Sequence, residues 1–188
     1  MQDLRIHIKN VVCQRCIMTV SEILERLDIP FDEVLLGEVI LKMPVEIDKL
    51  KMLEEEFEKV GFEIITDRDQ RLVNSIKSLI IEEVYSDKLS NTKLSTLLAS
   101  KLNFDYSHIT HQFSESEGQS IQKYYNAVRI ERAKELLDYD ELGIAEIADL
   151  LGYSTPAYLS TSFKNATGLT PSEYRQLEGK NRKNLDSV

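Results

Sequence analysis

The spacing of apolar positions changes period along the chain. From Leu4 to Ile8 the apolar residues alternate (Leu4, Ile6, Ile8) around Arg5 and His7, the period of two that marks a half-buried strand. Over Cys16 to Leu27 the apolar positions Val20, Ile23, Leu24 and Leu27 take helical spacing, and Asp28 to Pro30 ends the run. Two short β-prone runs, Val34–Leu36 and Val39–Leu41, flank Gly37-Glu38 and predict a hairpin. Ile47 to Val60 is helical again through Leu50, Leu53, Phe57 and Val60, and Gly61 closes it ahead of a strand over Phe62–Ile65. This order, βαββαβ, predicts a ferredoxin-like unit: an antiparallel sheet covered on one face by two helices.

After Thr66 only helical spacing remains. Leu72, Val73, Ile76, Leu79, Ile80 and Val84 form one stripe that ends near Ser86, which places a boundary near Asp67. The rest contains a near-repeat. Leu98-Ala99, Leu102 and Phe104 return 49 residues later as Ile147-Ala148, Leu151 and Tyr153, while Ile109, Phe113 and Gly118 return 50 residues later as Leu159, Phe163 and Gly168. Each copy reads as a short helix, a turn and a second helix ended by Gly, the helix-turn-helix plan. Thr155 is a good N-cap with Pro156 at the first helical position, and Thr170-Pro171-Ser172-Glu173 has the form of a capping box. Ser120 to Leu137 joins the copies as one helix of 18 residues, roughly 27 Å long at 1.5 Å per residue. The expected fold class is therefore an α+β ferredoxin-like domain (1–66) followed by an all-α domain (67–178) with two helix-turn-helix units joined by a long helix. Residues 179–188 are expected to be a flexible tail.

Composition narrows the function classes. With 42% hydrophobic and 29% charged residues and few Gly or Pro, the chain of 188 residues can build a core. Its most apolar early stretch, Val11 to Val20, is broken by Gln14 and Arg15, so neither a membrane span nor a signal peptide is expected. Two cysteines three positions apart cannot staple a secreted fold, which points to the reducing cytoplasm. No Gly-rich phosphate loop, Ser-His-Asp set or paired-carboxylate spacing is found, so the expectation is not an enzyme. The net charge of −9 votes against nucleic acid, but residues 1–66 carry −6 of it and 67–188 only −3.

Tyr125, Arg129-Ile130, Ala133 and Leu136-Leu137, followed by Ile147-Ala148, Leu151-Gly152-Tyr153, Phe163-Lys164, Gly168, Pro171 and Tyr174-Arg175, resemble the DNA-binding domain of AraC-type transcriptional regulators. The likeness runs from near Arg71 to near Leu177. It implies two second helices inserted into successive major grooves of double-stranded DNA. By position it assigns the groove to Tyr106, Ser107, Thr110 and His111 in the first unit. In the second it assigns Thr155, Pro156, Ala157, Ser160 and Thr161, with Lys164 toward the phosphates. The chain departs from the family at Phe113-Ser114-Glu115-Ser116-Glu117, where many members continue Phe-Lys-Lys, and neither second helix offers an Arg for bidentate binding of guanine. Phosphate binding then rests on helix N-termini, hydroxyls and a few cations such as Lys123, Lys164 and Arg175, and two copies per site, a homodimer, would strengthen it. Arg129 is expected to bury its stem and pair with a carboxylate, His108 to be a partly exposed helix residue and His7 an exposed strand residue.

Cys13-Gln14-Arg15-Cys16 falls between the first strand and first helix. There it resembles the Met-x-Cys-x-x-Cys loop of heavy-metal-associated domains, with Val11 in place of Met and Gly61-Phe62 matching a Gly-aromatic pair near the site. The resemblance implies Cu(I) or another soft metal ion at Cys13 and Cys16; no cofactor is expected to be required. A helix N-terminus is expected to lower the thiol pKa, and soft thiolates select soft ions. Two other readings stay open: a buried cysteine pair in a domain now used for dimerisation, and a thiol redox sensor. For the whole chain the leading expectation is a DNA-binding regulator responsive to a soft ion. The alternative is a protein interaction module that keeps an AraC-like core but binds DNA weakly.

Overall fold

The alternating start of the chain becomes β1 (Arg5–Lys9), and α1 (Gln14–Arg26), β2 (Phe31–Leu35), β3 (Glu38–Leu41), α2 (Ile47–Lys59) and β4 (Glu63–Ile65) follow in a computed structural model that describes residues 4–86, 92–177 and Leu185. The strands form one sheet in the order β2-β3-β1-β4, every neighbouring pair antiparallel. Ile6, Ile8, Val34, Val39 and Leu41 form a buried cluster with Val20, Ile23 and Leu24 of α1 and Leu53 and Phe57 of α2.

Three local expectations need correction. The hairpin turn falls on Leu36-Gly37 rather than Gly37-Glu38, because Gly37 supplies the left-handed residue (φ 74°) that a two-residue turn needs. Helix α1 begins at Gln14, earlier than the apolar stripe, with Cys13 as its N-cap. His7 is not exposed: β1 is an interior strand, and the side chain keeps 15% of its surface, with Nδ1 3.8 Å from Glu38 Oε2.

The remaining elements are helices: α3 (Arg68–Tyr85), α4 (Leu94–Leu102), α5 (Tyr106–Glu117), α6 (Ile121–Tyr139), α7 (Ile144–Leu150), α8 (Pro156–Thr167) and α9 (Pro171–Arg175). Asp67 starts α3 by accepting hydrogen bonds from the backbone N–H of Asp69 and Gln70 at 3.0 and 2.9 Å. A second cluster is built on α3 and α6, with Ile76, Ile80, Val128 and Leu137 meeting Leu98, Ile109, Ile147 and Leu159. The tail expected over 179–188 lies outside the described residues except for Leu185.

Helix α3 also meets the sheet. Asn74 Nδ2 donates to the carbonyls of Ile8 and Gly37, both at 3.2 Å, and Arg71 Nε donates to Ile65 O at 3.1 Å. A Cβ on Gly37 would lie 2.4 Å from Asn74 Nδ2 and 2.7 Å from Ser78 Oγ, so any side chain there would displace Asn74 and Ser78 in addition to straining the left-handed turn.

Helix α6 carries two surprises. Glu131 and Lys134 form a buried ion pair at 2.7 Å, a feature the spacing of apolar residues does not announce. Arg129 is buried as expected, yet its guanidinium lies over tyrosine rings instead of against a carboxylate, 3.6 Å from the Tyr153 centroid and 5.1 Å from that of Tyr125. The flat guanidinium is weakly hydrated and stacks on aromatic faces, which makes this burial affordable.

Candidate nucleic-acid interface

Two helix pairs, α4–α5 and α7–α8, repeat one set of local solutions. The turn after α4 uses Asn103 at φ 56° and the corresponding turn uses Gly152 at φ 65°, both left-handed. Phe104 packs on His108 with ring centroids 5.1 Å apart, as Tyr153 packs on Tyr158 at 5.7 Å. Helices α5 and α8 end at left-handed Gly118 and Gly168. The repeat continues into the helices that follow each pair. Ser120 caps α6 by accepting from Lys123 N at 3.2 Å, and Thr170 caps α9 by accepting from Glu173 N at 3.3 Å. Phe113 meets Tyr124 at 5.6 Å, and Phe163 meets Tyr174 at 5.3 Å.

With Ile109 and Phe113 buried, α5 turns Ser107, His108, His111, Ser114 and Glu115 to solvent. With Leu159 and Phe163 buried, α8 turns out Ala157, Tyr158, Thr161, Lys164 and Asn165. These ten positions correspond pairwise at a separation of 50. Of the residues expected in the grooves, Ser107, His111, Thr155, Pro156, Ala157 and Thr161 are exposed, as is Lys164, expected at the phosphates, while Tyr106, Thr110 and Ser160 are half-buried on the flanks. Tyr106 packs against the helical core. Ser114, Glu115, Tyr158 and Asn165 were not singled out as site residues, although helical spacing from His111 and Thr161 places them on the same faces. His108 is exposed, in line with its expectation.

Three hydroxyls assigned to the grooves already donate. Thr110 gives its proton to the carbonyls of Tyr106 and Ser107 (both 3.0 Å), Ser160 to Pro156 O (2.9 Å) and Thr161 to Ala157 O (3.0 Å). Their oxygens therefore present lone pairs outward, suited to accept from a base amino group. Thr155 has a second duty, accepting from Tyr158 N at 3.1 Å as the cap of α8.

The charges of the two faces differ. On α5 the exposed His111 Nε2 lies 3.6 Å from Glu115 Oε2, and no Lys or Arg shares the face. On α8, Lys164 is exposed and its charge helps hold the Glu173 carboxyl below its ordinary value, after the larger effect of hydrogen bonds from Thr170. Lys123 is exposed. Arg175 is not free for a phosphate, because Nε pairs with Asp140 Oδ1 at 3.1 Å and Nη2 donates to Leu142 O at 2.6 Å.

The cysteine pair lies elsewhere. Cys13 at the N-cap and Cys16 in the first turn of α1 place their sulfurs 3.1 Å apart, both partly buried. They line a cleft of about 1200 Å³ with Gly61 and Phe62 on the sheet side and Tyr85, Arg132 and Glu135 on the helical side. The expectation of a lowered thiol pKa fails at Cys16: burial pushes it up, outweighing backbone hydrogen bonds that favour the thiolate. Among the described residues no group of three or more His, Cys, Asp or Glu side chains is placed to hold a metal.

Comparison with known proteins bears on the helical part. A family described as a helix-turn-helix domain matches residues 98–177. The Msm operon regulatory protein of Streptococcus mutans is 33% identical over 127 residues, covering 68% of this chain and 44% of that protein. The transcriptional regulatory protein YesN of Bacillus subtilis is 36% identical over 100 residues, 50% of this chain and 27% of its own. The chain thus spans less than half the length of these curated relatives. Among solved structures, the C-terminal domain of AraT, a response regulator from Geobacillus stearothermophilus, is 29% identical with a TM-score of 0.51, over 62% of this chain and 97% of that one. None of these relatives confirms the heavy-metal-associated likeness of the N-terminal part. The duplicated helix pairs and these matches agree that residues 98–177 form a helix-turn-helix domain similar to those of transcriptional regulators.

Proposed function

We propose that the chain is a sequence-specific DNA-binding transcriptional regulator that sets α5 and α8 in successive major grooves of double-stranded DNA. The observation that carries this reading is the duplication itself: two second helices with equivalent buried faces, each turning the same five positions to solvent, joined by the single helix α6. At 19 residues α6 is roughly 28 Å long, close to the ~34 Å that separates successive grooves. Ser107, Thr110 and His111, beside Tyr106, face bases in the first groove. Ala157, Ser160 and Thr161, beside Thr155 and Pro156, do so in the second, and Lys164 holds a phosphate. With so few cations, two copies on one operator are the expected stoichiometry, in the cytoplasm.

In this reading residues 1–66 are a ferredoxin-like sensor or dimerisation domain attached to the reader 67–178. The thiols of Cys13 and Cys16 suit a two-coordinate soft ion such as Cu(I), whereas tetrahedral Zn²⁺ would need further donors that no group among the described residues supplies. Metal responsiveness is tested by Cys13→Ser with Cys16→Ser: regulation unchanged under copper and cadmium challenge rejects it. A second reading, an interaction module with weak DNA binding, is favoured by the α5 face, where His111 lies against Glu115 and no cation is present. Selection from random DNA followed by salt titration separates the two. A reader selects a discrete site and loses affinity linearly in log salt, whereas the module selects nothing at physiological ionic strength.

A further inference from the structure

Val11 and Val12 are adjacent in sequence but belong to different cores. Val11 is buried in the cluster of the sheet, and Val12 packs against the cluster of the helices. Asn10, left-handed at φ 70°, turns the chain into this seam and anchors it by donating from Nδ2 to Gly61 O at 2.9 Å. Cys13 comes next. Its sulfur lies 3.1 Å from that of Cys16, only about 1 Å beyond the length of a disulfide bond. Both thiols are partly exposed and open onto the cleft whose opposite wall is formed by α3 and α6, so a small solute can reach them.

We propose that Cys13 and Cys16 form a reversible intramolecular disulfide, oxidised by low-molecular-weight disulfides, and that its closure acts on α3 through Val12. One thiolate of the pair attacks a sulfur of the small disulfide and expels the first small thiolate, leaving a mixed disulfide. The second cysteine attacks the protein sulfur of that intermediate and expels the second. The protein dithiol loses two electrons, the small disulfide gains them, and the two protons leave with the two small thiols. Drawing the sulfurs together by about 1 Å pulls on Cys13. Val12 is held by the helical core on the other side, so the displacement passes to α3, where Tyr85 stacks under Arg132 of α6 at 4.7 Å. Oxidation and metal ligation of the same two sulfurs exclude each other. The inference stands or falls without any assumption about DNA.

The test equilibrates the full chain in mixtures of oxidised and reduced glutathione, quenches with acid, alkylates free thiols and weighs the intact protein. The expected product is lighter by two hydrogens and takes up no alkylating agent, and excess reduced glutathione restores both thiols. Cys13→Ser is expected to stop at a single glutathione adduct on Cys16. Hydrogen exchange on the two forms should then differ about fivefold or more over residues 10–17 and 78–85, with α8 unchanged. In Val12→Ala the disulfide still closes, but the difference over 78–85 shrinks to under about twofold. A wild-type chain that keeps both thiols, or stops at a glutathione adduct, overturns the switch. A closed disulfide with exchange over 78–85 unaltered overturns its coupling to the helices.

Discussion

In the first helix-turn-helix unit Phe113 meets Tyr124 and α5 ends at left-handed Gly118; fifty residues on, Phe163 meets Tyr174 and α8 ends at left-handed Gly168. The outward faces share none of this likeness. Where α5 shows Ser107, His108, His111, Ser114 and Glu115, α8 shows Ala157, Tyr158, Thr161, Lys164 and Asn165. Packing and caps answer to the same chain geometry in both copies, so similar side chains recur. The exposed faces answer to whatever each helix touches, and they have diverged in charge. The second unit exposes the cation Lys164, and the first exposes the acid Glu115 and no Lys or Arg on its face. The first unit is also the one built on α3, the helix bonded to the sheet through Asn74 and Arg71.

The strongest way to break this comparison is to attack the shared part. Phe113→Ala and Phe163→Ala each remove a fully buried ring and should each cost about 3–5 kcal/mol in urea unfolding. The two losses are expected to agree within about 1 kcal/mol. A Phe113→Ala chain that loses less than half as much as Phe163→Ala would show that the two cores are equivalent only in outline.

The divergent part is tested by transplanting it. Ser114→Lys with Glu115→Asn gives α5 the pair that α8 has in Lys164 and Asn165. It should raise DNA affinity by about tenfold at low salt and steepen the salt slope by about one. Lys164→Ala should do the reverse, weakening binding across sequences and flattening the slope by about one. If the transplant leaves both affinity and slope unchanged, α5 does not lie on phosphates and the interaction-module reading gains.

The shared part was also the legible part. Apolar spacing and glycine placement located both units because Leu98, Ile109, Phe113, Ile147, Leu159 and Phe163 are selected by one requirement, burial, which writes itself in sequence as period. Strands β1 and β3 were legible for the same reason in Ile6, Ile8, Val39 and Leu41. What escaped depends on contacts between distant segments. Arg129 between two tyrosine rings, the buried pair of Glu131 with Lys134, and Gly37 pressed against Asn74 and Ser78 each require knowing which elements meet. Asn103 escaped because a left-handed asparagine leaves no pattern beyond itself, whereas its counterpart Gly152 announces the turn. The site was legible as two helices, but its finer selection was not. Tyr106, Thr110 and Ser160 are half-buried at the flanks of their helices, while Tyr158 and Asn165 are exposed on a face the helical spacing defines.

Smaller effects come from the caps, where the units differ despite their common plan. Thr155 accepts from Tyr158 N at 3.1 Å, whereas Asp105, the N-cap of α5, makes no side-chain hydrogen bond of this kind. Thr155→Ala should therefore cost about 1 kcal/mol, and Asp105→Ala no more than a few tenths of a kcal/mol, in the same unfolding experiment. Equal costs would mean that the asymmetry between the caps has no energetic consequence.

The smallest difference lies in pH. At the start of α9, Glu173 accepts from Thr170 N at 2.7 Å and from Thr170 Oγ1 at 2.8 Å, while at the matching place in α6 the residue is Lys123. Those hydrogen bonds, and then the charge of Lys164, hold the Glu173 carboxyl below its ordinary value. A carboxyl depressed in the folded state contributes stability that is present above its unfolded value and is lost as pH falls through the folded one. Acid should thus loosen the start of α9 through a group that the start of α6 lacks. In an NMR titration below the ordinary carboxylate range, the Thr170 amide should move with a depressed midpoint while the Ser120 amide shows no such step. Glu173→Gln keeps an acceptor but removes the titrating group, and it should abolish the step at Thr170. A step that survives in Glu173→Gln would assign it to another carboxyl and leave the two caps alike in their response to acid.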